Sequence, residues 1–60
     1  MMKPTVEYYM DQKEEWRWRL KARNGKIISD SGEGYTTRKK AQDGFQRVVA
    51  QAVNAKEKEK

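Results

Sequence analysis

Apolar and polar positions alternate at a period of two in the first half of the chain, and the period lengthens to that of a helix in the second half. Over residues 5–10, Val6, Tyr8 and Met10 fall on one side of an extended chain rich in β-branched and aromatic residues, which predicts a strand. The alternation is most regular over residues 15–23: Trp16, Trp18, Leu20 and Ala22 share one face, and Arg17, Arg19, Lys21 and Arg23 share the other. A strand with this pattern buries its indoles and turns its cations to water. Residues 26–30 complete a third strand.

Turn chemistry then sets the pairing. Asn24-Gly25 supplies the two positive φ angles of a type I′ turn, so a two-residue hairpin is expected, with Arg23 opposite Lys26, Ala22 opposite Ile27, Lys21 opposite Ile28, Leu20 opposite Ser29 and Arg19 opposite Asp30. This register carries Ile27 to the Trp face. For the first hairpin, a three-residue connection over residues 12–14 pairs Met10 with Trp16, Tyr8 with Trp18 and Val6 with Leu20. Both hairpins then point to one buried face, and such agreement among local signals supports the assignment beyond any single propensity.

After a loop at residues 31–34, Thr36 or Thr37 is a helix cap. Ala41, Phe45, Val48 and Ala52 recur at spacings of four, three and four, with Val49 and Val53 widening the stripe, which describes an amphipathic helix seeking a sheet. Gly44 interrupts it at a cost of about 1 kcal/mol relative to Ala, and close approach of a neighbouring element is the reading favoured for it. Residues 56–60 alternate Lys and Glu without an apolar partner and form a charged tail. The expected fold is α+β: a three-stranded antiparallel sheet followed by one C-terminal helix, in a single domain over residues 1–55.

Composition sharpens this picture in one respect. With 60 residues, no Cys and no His, the chain has neither disulfide nor zinc-type staple, and a core of this size supplies no more than about 3 to 5 kcal/mol. A helix of about 17 residues at 1.5 Å each also outreaches a three-stranded sheet about 10 to 15 Å wide. Two copies that share a sheet, exchange helices, or do both would meet each demand. Tyr8, Trp16, Trp18, Leu20, Phe45, Val48, Val49 and Val53 are the expected core and dimer residues. Neither an apolar run long enough to span a membrane nor a secretory h-region is found, so a cytoplasmic location and no membrane partner are expected.

The runs Val6-Glu7-Tyr8-Tyr9, Trp16-Arg17-Trp18-Arg19-Leu20-Lys21-Ala22, Asn24-Gly25, Ile27-Ile28 and Glu33-Gly34-Tyr35-Thr36, followed by residues 41–44, resemble the YegP-like family, also described as domain of unknown function 1508 or uncharacterised protein family 0339. The resemblance covers about residues 6–53. It implies a three-strand-plus-helix unit used twice, here as a homodimer, and carries no settled activity, ligand or catalytic residue. Where members of that family usually have Gly in the first hairpin loop, this chain has Glu14. Because a left-handed Glu costs about 1 kcal/mol or more, a wider loop is expected there. Gly32 is an extra residue before the Glu33-Gly34-Tyr35 motif.

The chemistry on offer is sparse. Ser and Thr hydroxyls have no His to serve as base, the carboxylates match no two-carboxylate or calcium spacing, and the glycines form no phosphate loop, so no enzyme activity and no cofactor or metal are expected. Fourteen Lys and Arg against nine Asp and Glu give a net charge of +5, which attracts polyanions in general. Trp-Arg-Trp-Arg resembles a single-stranded nucleic-acid platform, but on a strand the rings and the cations face opposite ways. Arg19 is expected between Glu7 and Asp30, and Arg17 opposite Tyr9. That leaves Lys21, Arg23 and Lys26 at the second turn and Arg38, Lys39, Lys40 and Arg47 on the helix as unpaired cations for a polyanion or nucleic acid. Exposed Tyr9 and Ile28, with Arg17, are the expected contacts of a protein-interaction module, the leading functional expectation.

Overall fold

The computed structural model of the protein describes residues 3–59. Its elements are β1 (Thr5–Met10), β2 (Trp16–Lys21), β3 (Ile27–Asp30) and α1 (Arg38–Asn54), with the antiparallel sheet in the order β1-β2-β3. The first hairpin has the expected register, Val6 opposite Leu20, Tyr8 opposite Trp18 and Met10 opposite Trp16. Its loop does not widen. The Asp11 N–H donates to the Glu15 carbonyl at 2.9 Å, the Glu14 N–H donates to the Asp11 carbonyl at 3.0 Å, and Glu14 takes φ 63°. This is a three-residue loop closed by a left-handed residue, and Glu14 bears the strain that the sequence reading assigned to it.

The second hairpin departs from expectation. The Ala22 N–H donates to the Lys26 carbonyl at 2.8 Å and the Gly25 N–H to the Ala22 carbonyl at 2.9 Å, so Ala22 faces Lys26 across three loop residues. A type I′ turn needs positive φ at Asn24 as well, but among the described residues Glu14 is the one non-glycine with positive φ; only Gly25, at φ 87°, turns left-handed here. The Asn24 side chain instead accepts from the Lys26 N–H at 3.1 Å. Lys21 therefore pairs with Ile27, and a bulge between Leu20 and Lys21 restores Leu20–Ser29 and Arg19–Asp30. Because opposed residues share a face, Ile27 lies on the cationic side, 55% exposed, and not among the indoles.

Beyond β3 the chain makes one more contact with β2 that the sequence reading left out. The Trp16 N–H donates to the Tyr35 carbonyl at 2.7 Å and the Tyr35 N–H donates back at 2.8 Å. Ser31 donates to the Trp18 carbonyl at 3.0 Å, so β2 advances two residues while its neighbour advances four. Gly32, at φ 71°, turns within this excursion. The bridge holds the Tyr35 ring over Gly44: a Cβ there would collide with the phenol oxygen and lie 2.6 Å from Cζ. The close approach inferred for Gly44 is thus to Tyr35.

Thr37, in extended conformation, caps α1 by accepting from the Lys40 N–H at 3.1 Å. The helix lies on β1 and β2, and its buried residues are Ala41 and Gly44. Trp18, 2% exposed, is the center of the core and meets Phe45 edge-to-face at 5.0 Å. Burying such a side chain contributes about 3 kcal/mol, and the ring pair about 1 kcal/mol more. Tyr8, Trp16, Leu20 and Phe45 are half-buried. Val48, Val49 and Val53, expected in the core or a dimer interface, stand exposed in this chain, Val53 at 78%. The physical reason is length: α1 runs about 25 Å and its last turns extend past the side chains of β1 and β2. Residues 55–59 lie outside the helix, and Lys60 of the tail lies outside the described residues.

Candidate functional site

The outer face of the sheet is a network of ions set by strand register. Glu7 and Arg19 are opposed, and Arg19 Nε donates to Glu7 Oε1 at 2.9 Å while Lys21 Nζ lies 3.3 Å from Glu7 Oε2. These two donors, Arg19 foremost, hold the Glu7 carboxyl below its usual range. Arg19 also sits over the Tyr9 ring, 4.4 Å from its centroid. Arg17 Nε donates to Asp11 Oδ2 at 2.5 Å, and the other Asp11 oxygen accepts from the N–H groups of Lys13 and Glu15. Arg17, then those backbone donors, lowers the Asp11 pKa, and Asp11 in turn raises that of Arg17.

This network corrects several sequence expectations. Lys21 is not a free cation, because Glu7 has a second oxygen left after Arg19. Tyr9 is half-buried beneath Arg19, and Arg17 is committed to Asp11. Asp30 keeps its place opposite Arg19, but Arg19 turns its guanidinium to β1. Ile28 remains available, 59% exposed at the bulge.

The other cations stand apart from this network. Arg23 and Lys26 are exposed at the second turn, and Arg38, Lys39, Lys40 and Arg47 are exposed on α1. The first helical turn contains no acidic residue. The Arg38 guanidinium lies 5.0 Å from the Tyr8 ring centroid, which brings one cation of that turn to the β1 side of the sheet.

Two depressions of the surface lie beside these residues. One, of about 300 Å³, is lined by Tyr35, Lys40, Asp43, Gly44 and Arg47. Burial raises the Tyr35 pKa and the adjacent Glu33 carboxylate raises it further; the Trp18 N–H and the Arg47 charge oppose them. Trp18 Nε1 is close enough to favor the phenolate, yet it makes no hydrogen bond of good geometry. The other depression, of about 550 Å³, runs along the overhanging half of α1 between Arg47 and Ala55, including Val48 and Ala52. Tyr35 is the residue that sequence reasoning missed. The Gly-Tyr-Thr order placed it at the helix entry, but nothing local signals a bridge to Trp16 across an irregular excursion.

Among the described residues no group of three or more His, Cys, Asp and Glu is placed to hold a metal ion, and no helix is long and apolar enough to cross a membrane. The model of the family described as Domain of unknown function (DUF1508) matches residues 11–59. A UPF0339 protein of Neisseria meningitidis serogroup B is 56% identical over 36 residues, a match covering 60% of this chain and 62% of that protein, so the chain spans less than two thirds of that relative's length. A UPF0339 protein of Methanosarcina acetivorans is 42% identical over 50 residues, 83% of this chain and 84% of the relative. An NMR solution structure of a protein from Haloferax volcanii superimposes with a TM-score of 0.86 at 40% identity, covering both chains completely.

Proposed function

We propose, for a chain that belongs to the family of the Domain of unknown function (DUF1508), that it is a small non-enzymatic module which pairs with a second copy of itself and binds another protein. The observation that carries this reading is the uncovered half of α1. Val48, Val49 and Val53 form the C-terminal part of the same apolar stripe whose N-terminal part buries Ala41 and packs Phe45 on Trp18. A stripe half used by one sheet is explained by a second copy covering the remainder, and a two-fold arrangement makes that contact self-complementary. With one large side chain fully buried, the chain also gains stability from such a partner. The sheet's outer face, with Tyr9 and Arg17 held in fixed positions and Ile28 exposed, remains for recognition of a different protein.

Sedimentation equilibrium at micromolar concentration tests the pairing. Twice the chain mass is expected, with Val49→Glu reducing it to one while circular dichroism stays native-like; a folded wild-type monomer overturns the reading. Ile28→Asp is expected to abolish capture of the protein partner without changing the mass.

A second reading has its own observation. Arg38, Lys39 and Lys40 are exposed in a helical turn without an acid, an arrangement the helix dipole disfavors and a polyanion would relieve. Nuclease treatment that eliminates every captured partner, with binding that weakens steeply with salt, would favor it over the first.

A further inference from the structure

The depression beside Tyr35 brings together a hydroxyl, two cations and a bare stretch of helix. Lys40, Gly44 and Arg47 recur at spacings of four and three, so they share one flank of α1. With Tyr35 and Asp43 they enclose about 300 Å³, room for a small molecule. Gly44 is the floor: a Cβ there would collide with the phenol oxygen, so the missing side chain admits the Tyr35 hydroxyl to the part of the helix between the two cations. Asp43 stands three residues after Lys40 and four before Arg47, positions at which helical ion pairs form. None forms there. Among the described residues the ion pairs are those of Glu7 and Asp11 with Arg17, Arg19 and Lys21, which leaves Lys40 and Arg47 unanswered. Behind the phenol lies a donor without a partner: Trp18 is 2% exposed and its Nε1–H makes no hydrogen bond, a costly state for a buried N–H. The Tyr35 hydroxyl is the neighbor of that N–H, and the carboxylate of Glu33, an exposed residue of the preceding loop, stands beside the same hydroxyl.

We infer that this depression binds a small carboxylate ligand, which takes the place of Glu33 at the Tyr35 hydroxyl and lies between Lys40 and Arg47. The inference does not depend on the protein-interaction reading. A phenol that donates its proton to an anion becomes a better acceptor at its own oxygen, because bonds in a chain polarize one another. An anion held at the Tyr35 hydroxyl by two cations therefore draws the Trp18 N–H into the bond that it lacks while Glu33 stands there. Charge selects the ligand. The lining carries two cations and the Asp43 carboxylate, and Glu33 brings the sum to zero. A carboxylate that replaces Glu33 preserves that sum, whereas a phosphate dianion adds a further negative charge beside Asp43. Glu33 is then an internal competitor, carried on a loop that can yield to the ligand.

The test uses the full nitrogen-15-labelled chain and butyrate, which reproduces the glutamate side chain, with inorganic phosphate and chloride as controls at constant ionic strength. The Trp18 indole N–H resonance is the readout. A saturable downfield movement is expected with butyrate, a weaker response with phosphate and none with chloride. Lys40→Ala and Arg47→Ala should each weaken butyrate binding by about two- to five-fold, as for exposed ion pairs, and Lys39→Ala, outside the depression, should leave it unchanged. Glu33→Gln removes the competitor and is expected to tighten binding by a similar factor. Tyr35→Phe keeps the ring over Gly44 and should abolish the indole response while circular dichroism stays native. Absence of a saturable movement, a response to phosphate equal to that for butyrate, indifference to both Lys40→Ala and Arg47→Ala, or weaker binding in Glu33→Gln overturns the inference.

Discussion

The two hairpin turns solve one geometric problem with different residues. Each closes three loop residues between a bonded pair, Asp11 with Glu15 and Ala22 with Lys26, and each places its third loop residue in left-handed conformation. In the second turn that residue is Gly25, which adopts φ 87° without a Cβ penalty. In the first it is Glu14 at φ 63°. The first turn tolerates this because Asp11 organizes it: one carboxylate accepts from the N–H groups of Lys13 and Glu15 and from Arg17. The second turn has only the Asn24 side chain accepting from Lys26. A left-handed position can therefore be filled by a permissive residue, or by an unfavorable one held from outside.

Removing that external hold should have the largest effect. Asp11→Ala deprives Lys13, Glu15 and Arg17 of their acceptor at once, and the greatest fall in thermal midpoint of these variants is expected from it. The same contact predicts a pH response. Because the folded-state pKa of Asp11 is lowered, its contribution is complete above the ordinary Asp value of about 3.8 and is lost as the pH falls through the lowered value. Asp11→Asn should flatten the acid side of the stability profile measured by urea unfolding.

Gly25→Ala addresses the other turn, where nothing lies within 4 Å of a new Cβ. The cost is purely conformational, about 1 kcal/mol, read from the urea midpoint. The smallest effect is expected from Glu14→Gly, which should stabilize by about 0.5 kcal/mol, since relief of strain is partly offset by the greater freedom of Gly in the unfolded chain. If Glu14→Gly destabilizes, Glu14 makes a contribution beyond occupying the turn, and the comparison fails.

The same contrast separates what was legible in the sequence from what was not. The first hairpin register was readable because two alternating patterns and a loop of fixed length agree on it. The second was half readable: Leu20–Ser29 and Arg19–Asp30 hold, but Asn24-Gly25 fits two turn types, and the bulge at Ile28 that reconciles them leaves no compositional mark. On the candidate site, the cations of the turn and helix were correctly placed in water. Lys21 was misjudged as unpaired, and the partners of Arg17 and Tyr9 went unread, because side chains choose diagonal partners as readily as opposite ones, and period alone does not say which carboxylate reaches which guanidinium.

By itself the sequence determined the order of elements, the burial of Trp18 and the outward turn of the cations, because pleat and helical period translate directly into faces. Only the tertiary structure decided that Tyr35 bridges to Trp16 and covers Gly44, that β1 pairs with β2 without a register shift while β3 does not, and that half of the helical stripe finds no sheet beneath it. Those outcomes depend on how far elements reach past one another in space, and that distance is a property of the assembled chain, not of any local window.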